Sequence, residues 1–139
     1  MNQQVRFCRS FDGTRIAYAA TGEGPPLVKA PHWLTHLEYE LQSPIWRPWI
    51  AGLLRGRSLV RLDERGCGLS DRGVGDISFE AFVRDFEAEV DAAGLERFAL
   101  LGHSQGGPER MRRTPCASCA RFTTSTSRRR CRGCPARRW

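Results

Sequence analysis

Apolar and polar residues alternate along Val5-Arg6-Phe7-Cys8, which predicts a half-buried strand. Asp12-Gly13 is a tight-turn dipeptide, so Thr14 to Ala20 reads as the second strand of a hairpin. Gly22-Glu23-Gly24-Pro25-Pro26 breaks the chain before a short strand, Leu27-Val28-Lys29-Ala30. Ile45, Trp46, Trp49, Leu53 and Leu54 recur at helical spacing and predict a helix from Pro44 to Leu54. Ser43 suits its N-cap and Pro44 its first helical position. Ser58 to Leu62 reads as a strand ending at Asp63. The strongest helical signal is the stripe Phe79, Phe82, Val83, Phe86 and Val90, giving a helix from Phe79 to about Ala93. Ser78 suits its N-cap, Glu80 its first turn and Gly94 its left-handed C-terminal position. Phe98-Ala99-Leu100-Leu101 is an unbroken apolar run, of the kind buried on both faces. Strands alternating with helices predict an α/β fold. An N-terminal antiparallel hairpin leads into a mostly parallel sheet with right-handed crossover helices.

That last apolar strand runs into Gly102-His103-Ser104-Gln105-Gly106-Gly107, a G-x-S-x-G pattern in strand–turn context. A nucleophilic serine on so sharp a turn needs small neighbours two residues away, which Gly102 and Gly106 supply. The backbone N–H of Gln105 would then face a developing oxyanion. The second oxyanion donor is expected from the loop after Leu27–Ala30, which begins Pro31-His32-Trp33-Leu34-Thr35-His36. The backbone of His32 or Trp33 is the candidate, and the side chains of His32, Trp33 and His36 are expected simply to pack. Asp63-Glu64-Arg65-Gly66-Cys67-Gly68-Leu69-Ser70-Asp71 reads as a tight structural loop whose glycines take unusual backbone angles. Its Asp63 and Glu64 are expected to be neutralised by Arg61, Arg65 and Arg72 rather than to form a paired-carboxylate site.

With these motifs in view, residues 5–107 resemble the N-terminal half of an α/β-hydrolase. The resemblance rests on Asp12-Gly13-Thr14-Arg15-Ile16-Ala17-Tyr18, Gly22-Glu23-Gly24-Pro25-Pro26-Leu27-Val28, the Asp63–Asp71 loop and the Gly102–Gly107 turn. It implies a truncated α/β-hydrolase fold, with Ser104 matching the family nucleophile. It also implies hydrolysis of carboxylic esters or related acyl bonds on a small-molecule substrate, with no cofactor. A cofactor-free haloperoxidase-like enzyme uses the same catalytic groups and is the alternative within the class.

The family orders its triad Ser, then Asp or Glu, then His along the chain. Beyond Ser104 this sequence holds one acid, Glu109, and no histidine. His103 abuts the serine, but adjacent side chains diverge on a sharp turn, so it is not expected to act as the base. Little activity is therefore expected.

Charge then divides the chain. The 139 residues carry a formal net charge of +7, but residues 1–107 sum to −2 and residues 108–139 to +9. The basic segment contains no Leu, Ile, Val, Tyr or Lys and is expected to lack regular structure. The two domains are thus read as 1–107, enzyme-like, and 108–139, a Cys/Arg-rich tail attributed to a frameshift or deletion. Cys116-x-x-Cys119 and Cys131-x-x-Cys134 approximate paired zinc knuckles. They define the rival reading from another class, a zinc- or nucleic-acid-binding module, although neither a metal nor a nucleic-acid partner is the expectation. No apolar run reaches the roughly 20 residues of a membrane span, and the first residues lack the apolar core of a signal peptide. A cytoplasmic location is expected by default.

Overall fold

The computed structural model describes residues 2–106 and 121–123. Cys116, Cys119, Cys131 and Cys134 lie outside these residues. The chain runs β1 (Gln4–Arg9), β2 (Arg15–Thr21), β3 (Pro26–Lys29), α1 (Leu37–Gln42), α2 (Trp46–Leu53), β4 (Ser58–Leu62), α3 (Phe79–Ala92), β5 (Arg97–Leu101) and β6 (Arg121–Thr123). The strands form one sheet in the order β1-β2-β4-β3-β5-β6. β1 and β2 are antiparallel, β2 lies antiparallel to β4, and the remaining pairs are parallel. The expected hairpin therefore forms one edge of an otherwise parallel sheet.

β3 sits between β4 and β5, so the crossover leaving β3 runs to one side and the crossover leaving β4 returns across it. The strands alternate faces accordingly. Val28, Val60, Leu62 and Phe98 pack with Phe86 and Val90 of α3, while Leu27 and Leu59 pack with Ile50 of α2 on the opposite face. Between β3 and β5 the connections diverge, and open α/β sheets place ligand sites at the carboxyl ends of strands at such a point.

The sequence signals translate unevenly. Ser78 caps α3 as expected, its side chain accepting from Ala81 N, and Gly94 follows the helix at φ +66°. α2 begins two residues later than expected, with Ile45 as its N-cap. Ser43 is drawn in two directions: its backbone N–H closes α1 on Tyr39 O, while its Oγ accepts from Ile45 and Trp46 N at 3.2 and 3.3 Å. α1 itself has no counterpart among the predicted elements. On β5, Phe98 is buried but Ala99, Leu100 and Leu101 are only half-buried, rather than covered on both faces. Arg121–Thr123, inside the segment expected to lack regular structure, pairs with Arg97–Ala99 at the far side of β5. That pairing stops at Ala99, short of the half-buried Leu100 and Leu101.

Among the described residues, no helix is long and apolar enough to cross a membrane.

Candidate active site

β3 and β5 bring their C-terminal ends together, and the loops leaving them make the candidate site. Lys29 is in register with Leu101, and Ala30 N continues the ladder by donating to Leu101 O at 2.9 Å. The chain leaving β5 then turns sharply into a single 3-10 turn, Ser104–Gly106, closed by Gly106 N donating to His103 O at 3.0 Å. Ser104 is exposed and holds φ +54°. A left-handed conformation costs a non-glycine residue roughly 1–2 kcal/mol, so the surrounding structure must impose it. Part of that restraint is the close approach of the two loops. A Cβ on Gly106 would lie 2.6 Å from Pro31 O and 2.9 Å from Ala30 Cβ. The glycine that the motif places two residues after the serine is thus the contact between the turn and the chain leaving β3.

The loop after β3 carries the three residues expected merely to pack, and each does something different. Trp33 is exposed, and Leu34 beside it holds φ +59°. His36 caps α1, its Nδ1 accepting from Tyr39 N at 3.4 Å while its ring lies 4.1 Å from the Tyr39 ring. His32 is 7% exposed, with Trp46 of α2 tilted against it at 4.4 Å and the His103 ring edge-on at 5.9 Å. Trp46 and Trp49 also face the His103 ring, at 6.0 and 6.1 Å. The His103 side chain thus belongs to an aromatic cluster on the α2 face.

Beneath that cluster lies a polar group that the sequence reading missed. Lys29 and Arg61 are charged residues within the apolar strands β3 and β4, and they are 2% and 1% exposed. Arg61 Nη1 donates to Glu40 Oε2 at 2.6 Å and its Nη2 to Gln3 Oε1 at 2.8 Å. Lys29 Nζ lies 2.8 Å from His32 Nδ1, and 5.7 and 6.0 Å from the Trp46 and Trp49 ring centres. Glu40 Oε1 faces Lys29 Nζ at 3.9 Å and His32 Nε2 at 3.8 Å, beyond hydrogen-bonding distance of either. Burial, then the Lys29 charge, pushes His32 down to about 4, and burial also lowers Lys29. The legible signal was a cation in each of two adjacent apolar strands and an acid in the intervening segment.

The Asp63–Asp71 loop is structural, as expected, but its charges are satisfied differently. Arg61 is engaged by Glu40, and Arg65 by Asp85 and Asp12, with Arg65 Nη1 2.8 Å from Asp12 Oδ2. Asp63 instead accepts backbone N–H groups from Leu37 and Leu69, at 2.8 Å each, and burial raises its carboxyl above the usual range. It thereby ties the start of α1 to this loop. Gly66 and Gly68 take φ +81° and +53°, and a side chain at Gly68 would overlap the Asp63 carboxylate. Burial raises both described cysteines: Cys8 to about 11, and Cys67 above its usual value. Neither is a thiolate nucleophile at neutral pH.

A family model described as the alpha/beta hydrolase fold matches residues 35–109. The non-heme haloperoxidase of Rhodococcus erythropolis is 31% identical over 104 residues, which cover 74% of this chain and 36% of that protein. The crystal structure of epoxide hydrolase VrEH1 from Vigna radiata matches with a TM-score of 0.60 at 26% identity, covering 75% of this chain and 32% of that one. An esterase from Exiguobacterium antarcticum matches with a TM-score of 0.59 at 26% identity, covering 74% and 37%. The chain spans about a third of the length of each of these proteins.

Proposed function

This chain belongs to the α/β-hydrolase family, and on that footing we propose that it carries the nucleophile half of a serine hydrolase site for carboxylic esters or related acyl bonds. Ser104 Oγ is the nucleophile. The backbone N–H of Gln105 and that of His32 or Trp33 are the donors to the oxyanion formed when Oγ attacks the acyl carbon. Gly102 and Gly106 keep the turn free of side chains. One observation above all supports the reading: an exposed serine at φ +54°, at the end of a sheet strand, with Gly106 seated against the chain leaving β3. The substrate is a small ester-like molecule, and the site is soluble and cytoplasmic in its setting.

Attack requires the Ser104 proton to leave, and none of the described histidines is arranged as its base. The Nδ1 of His32 faces Lys29, Nδ1 of His36 caps α1, and the His103 ring packs with Trp46 and Trp49. Without an oriented base a serine hydroxyl remains a weak nucleophile. Turnover by this chain is accordingly slight. A second reading, cofactor-free haloperoxidation, is favoured by the likeness to the Rhodococcus haloperoxidase and uses the same serine.

Prolonged incubation with a fluorophosphonate, followed by peptide mass spectrometry, tests the assignment. The expected adduct is slow to form, confined to Ser104 and lost in Ser104→Ala. No adduct, or one that persists in Ser104→Ala, overturns it.

A further inference from the structure

We propose that Lys29 is a positioning residue: through His32 it fixes the loop that carries the candidate oxyanion donor against the nucleophile turn. This inference rests on the hydrolase reading for its purpose, but the coupling itself stands on geometry.

Lys29 closes β3, in register with Leu101 at the end of β5. Held as an ammonium, Lys29 only donates, so at 2.8 Å His32 Nδ1 accepts and the ring proton sits on Nε2. One cation therefore selects both the tautomer and the orientation of a buried ring. The ring is also gripped by Trp46 at 4.4 Å, and it meets His103, the residue before Ser104, edge-on. His32 follows Pro31, whose carbonyl oxygen abuts Gly106. With its ring held by Lys29 and Trp46, His32 restrains the Pro31–Trp33 backbone that lies against the turn. Candidate oxyanion donors must hold their place to within a fraction of an ångström, so a buried anchor on this loop has a use that packing alone does not supply.

The charged and titratable groups facing His32 are Lys29 of β3, Glu40 of α1, Arg61 of β4 and His103 of the turn. Three of these four disfavour a second proton on the ring, and Glu40 favours it. The neutral ring, accepting at Nδ1 from Lys29, is the arrangement that three of these four groups favour.

Nitrogen-15 NMR of the full chain tests this directly. The expected wild-type spectrum shows His32 as the Nε2–H tautomer through neutral pH. In Lys29→Met, a substitution of similar shape, the tautomer preference is lost, the His32 titration midpoint rises and the Trp33 amide resonance shifts. Should that variant fail to fold, His32→Asn and His32→Phe decide the matter. Asn offers Lys29 an acceptor near the Nδ1 position and leaves the Trp33 amide in place, whereas Phe offers none and moves it. An Nδ1–H tautomer in the wild type, or a Trp33 amide equally indifferent to Phe and Asn, overturns the proposal. If the tautomer and the Trp33 response hold while fluorophosphonate leaves Ser104 unlabelled, the coupling stands and the hydrolase reading alone falls.

Discussion

Arg65 grips Asp85 with a two-pronged contact, its Nε and Nη2 each donating to a different carboxylate oxygen at 2.7 Å. The pair is sealed, with side chains 0% and 1% exposed. It joins the loop after β4 to the sheet-facing side of α3. The carboxylates beside it hold Arg65 firmly in its charged form, and a separate hydrogen bond from Arg65 Nη1 holds the Asp12 carboxyl far below its ordinary range.

Asp85→Asn should therefore be severe. Losing the Asp85 charge leaves the buried Arg65 with Asp12 as its remaining carboxylate, so the cost falls toward the lower end of the range for breaking a buried pair, about 3 kcal/mol. Urea denaturation followed by circular dichroism would show it. A midpoint within experimental error of the wild type would mean that α3 does not depend on this contact.

Gly106→Ala should destabilise the turn that carries Ser104. The added carbon meets a backbone carbonyl at Pro31 and cannot be relieved by turning a flexible side chain. Overpacking of this kind costs about 1–3 kcal/mol, and the Ser104 adduct should disappear with it. Thermal melting and mass spectrometry of the same sample check both. An unshifted melt with normal labelling would show that the two loops are further apart than described.

Glu89→Leu should stabilise the chain, and more so at high pH. Glu89 is fully buried on α3, with neither carboxylate oxygen hydrogen-bonded among the described residues. Burial raises its pKa well above the ordinary value. The folded chain thus keeps a proton that the unfolded chain releases near pH 4.3. Between those two pKa values the folded state binds more protons, so stability falls as pH rises and is level beyond the higher one. The variant removes that slope along with an unsatisfied polar group, whose cost is about 1–3 kcal/mol. Urea midpoints at pH 4.5 and pH 8 decide. A gain that is equal at both, or a loss, contradicts the argument.

His32 gives a slope of the opposite sign. Its folded pKa of about 4 lies below the ordinary histidine value of 6.5, so the unfolded chain binds the extra proton first. Its contribution is intact above pH 6.5 and is lost as pH falls towards 4. His32→Asn should flatten the acid side of the melting-temperature profile across that window. An unchanged profile would place the acid sensitivity elsewhere.

The turn carrying Ser104 was legible because backbone geometry and glycine spacing are local properties. α3 was legible for a similar reason, since its aromatic stripe and Ser78 cap are contained in its own sequence. α1 was not. It is only six residues long, its cap is a histidine, its first-turn N–H is received by Asp63 from a distant loop, and its buried Glu40 interrupts the apolar pattern. The burial of Lys29 and Arg61 was not legible for a related reason. Alternation along a strand says which side a residue faces, but not whether that side is open, and here α1 and α2 close it. The Lys29–His32 contact joins residues three apart across a strand end, where neither helical nor strand periodicity predicts a meeting.

The conformation of Ser104 sets two requirements against each other. Glycine adopts φ +54° readily, so Ser104→Gly should relieve the strain at this position and, on the proposed reading, remove the nucleophile with it. On that reading, a serine held at this angle is backbone strain kept at the reacting position.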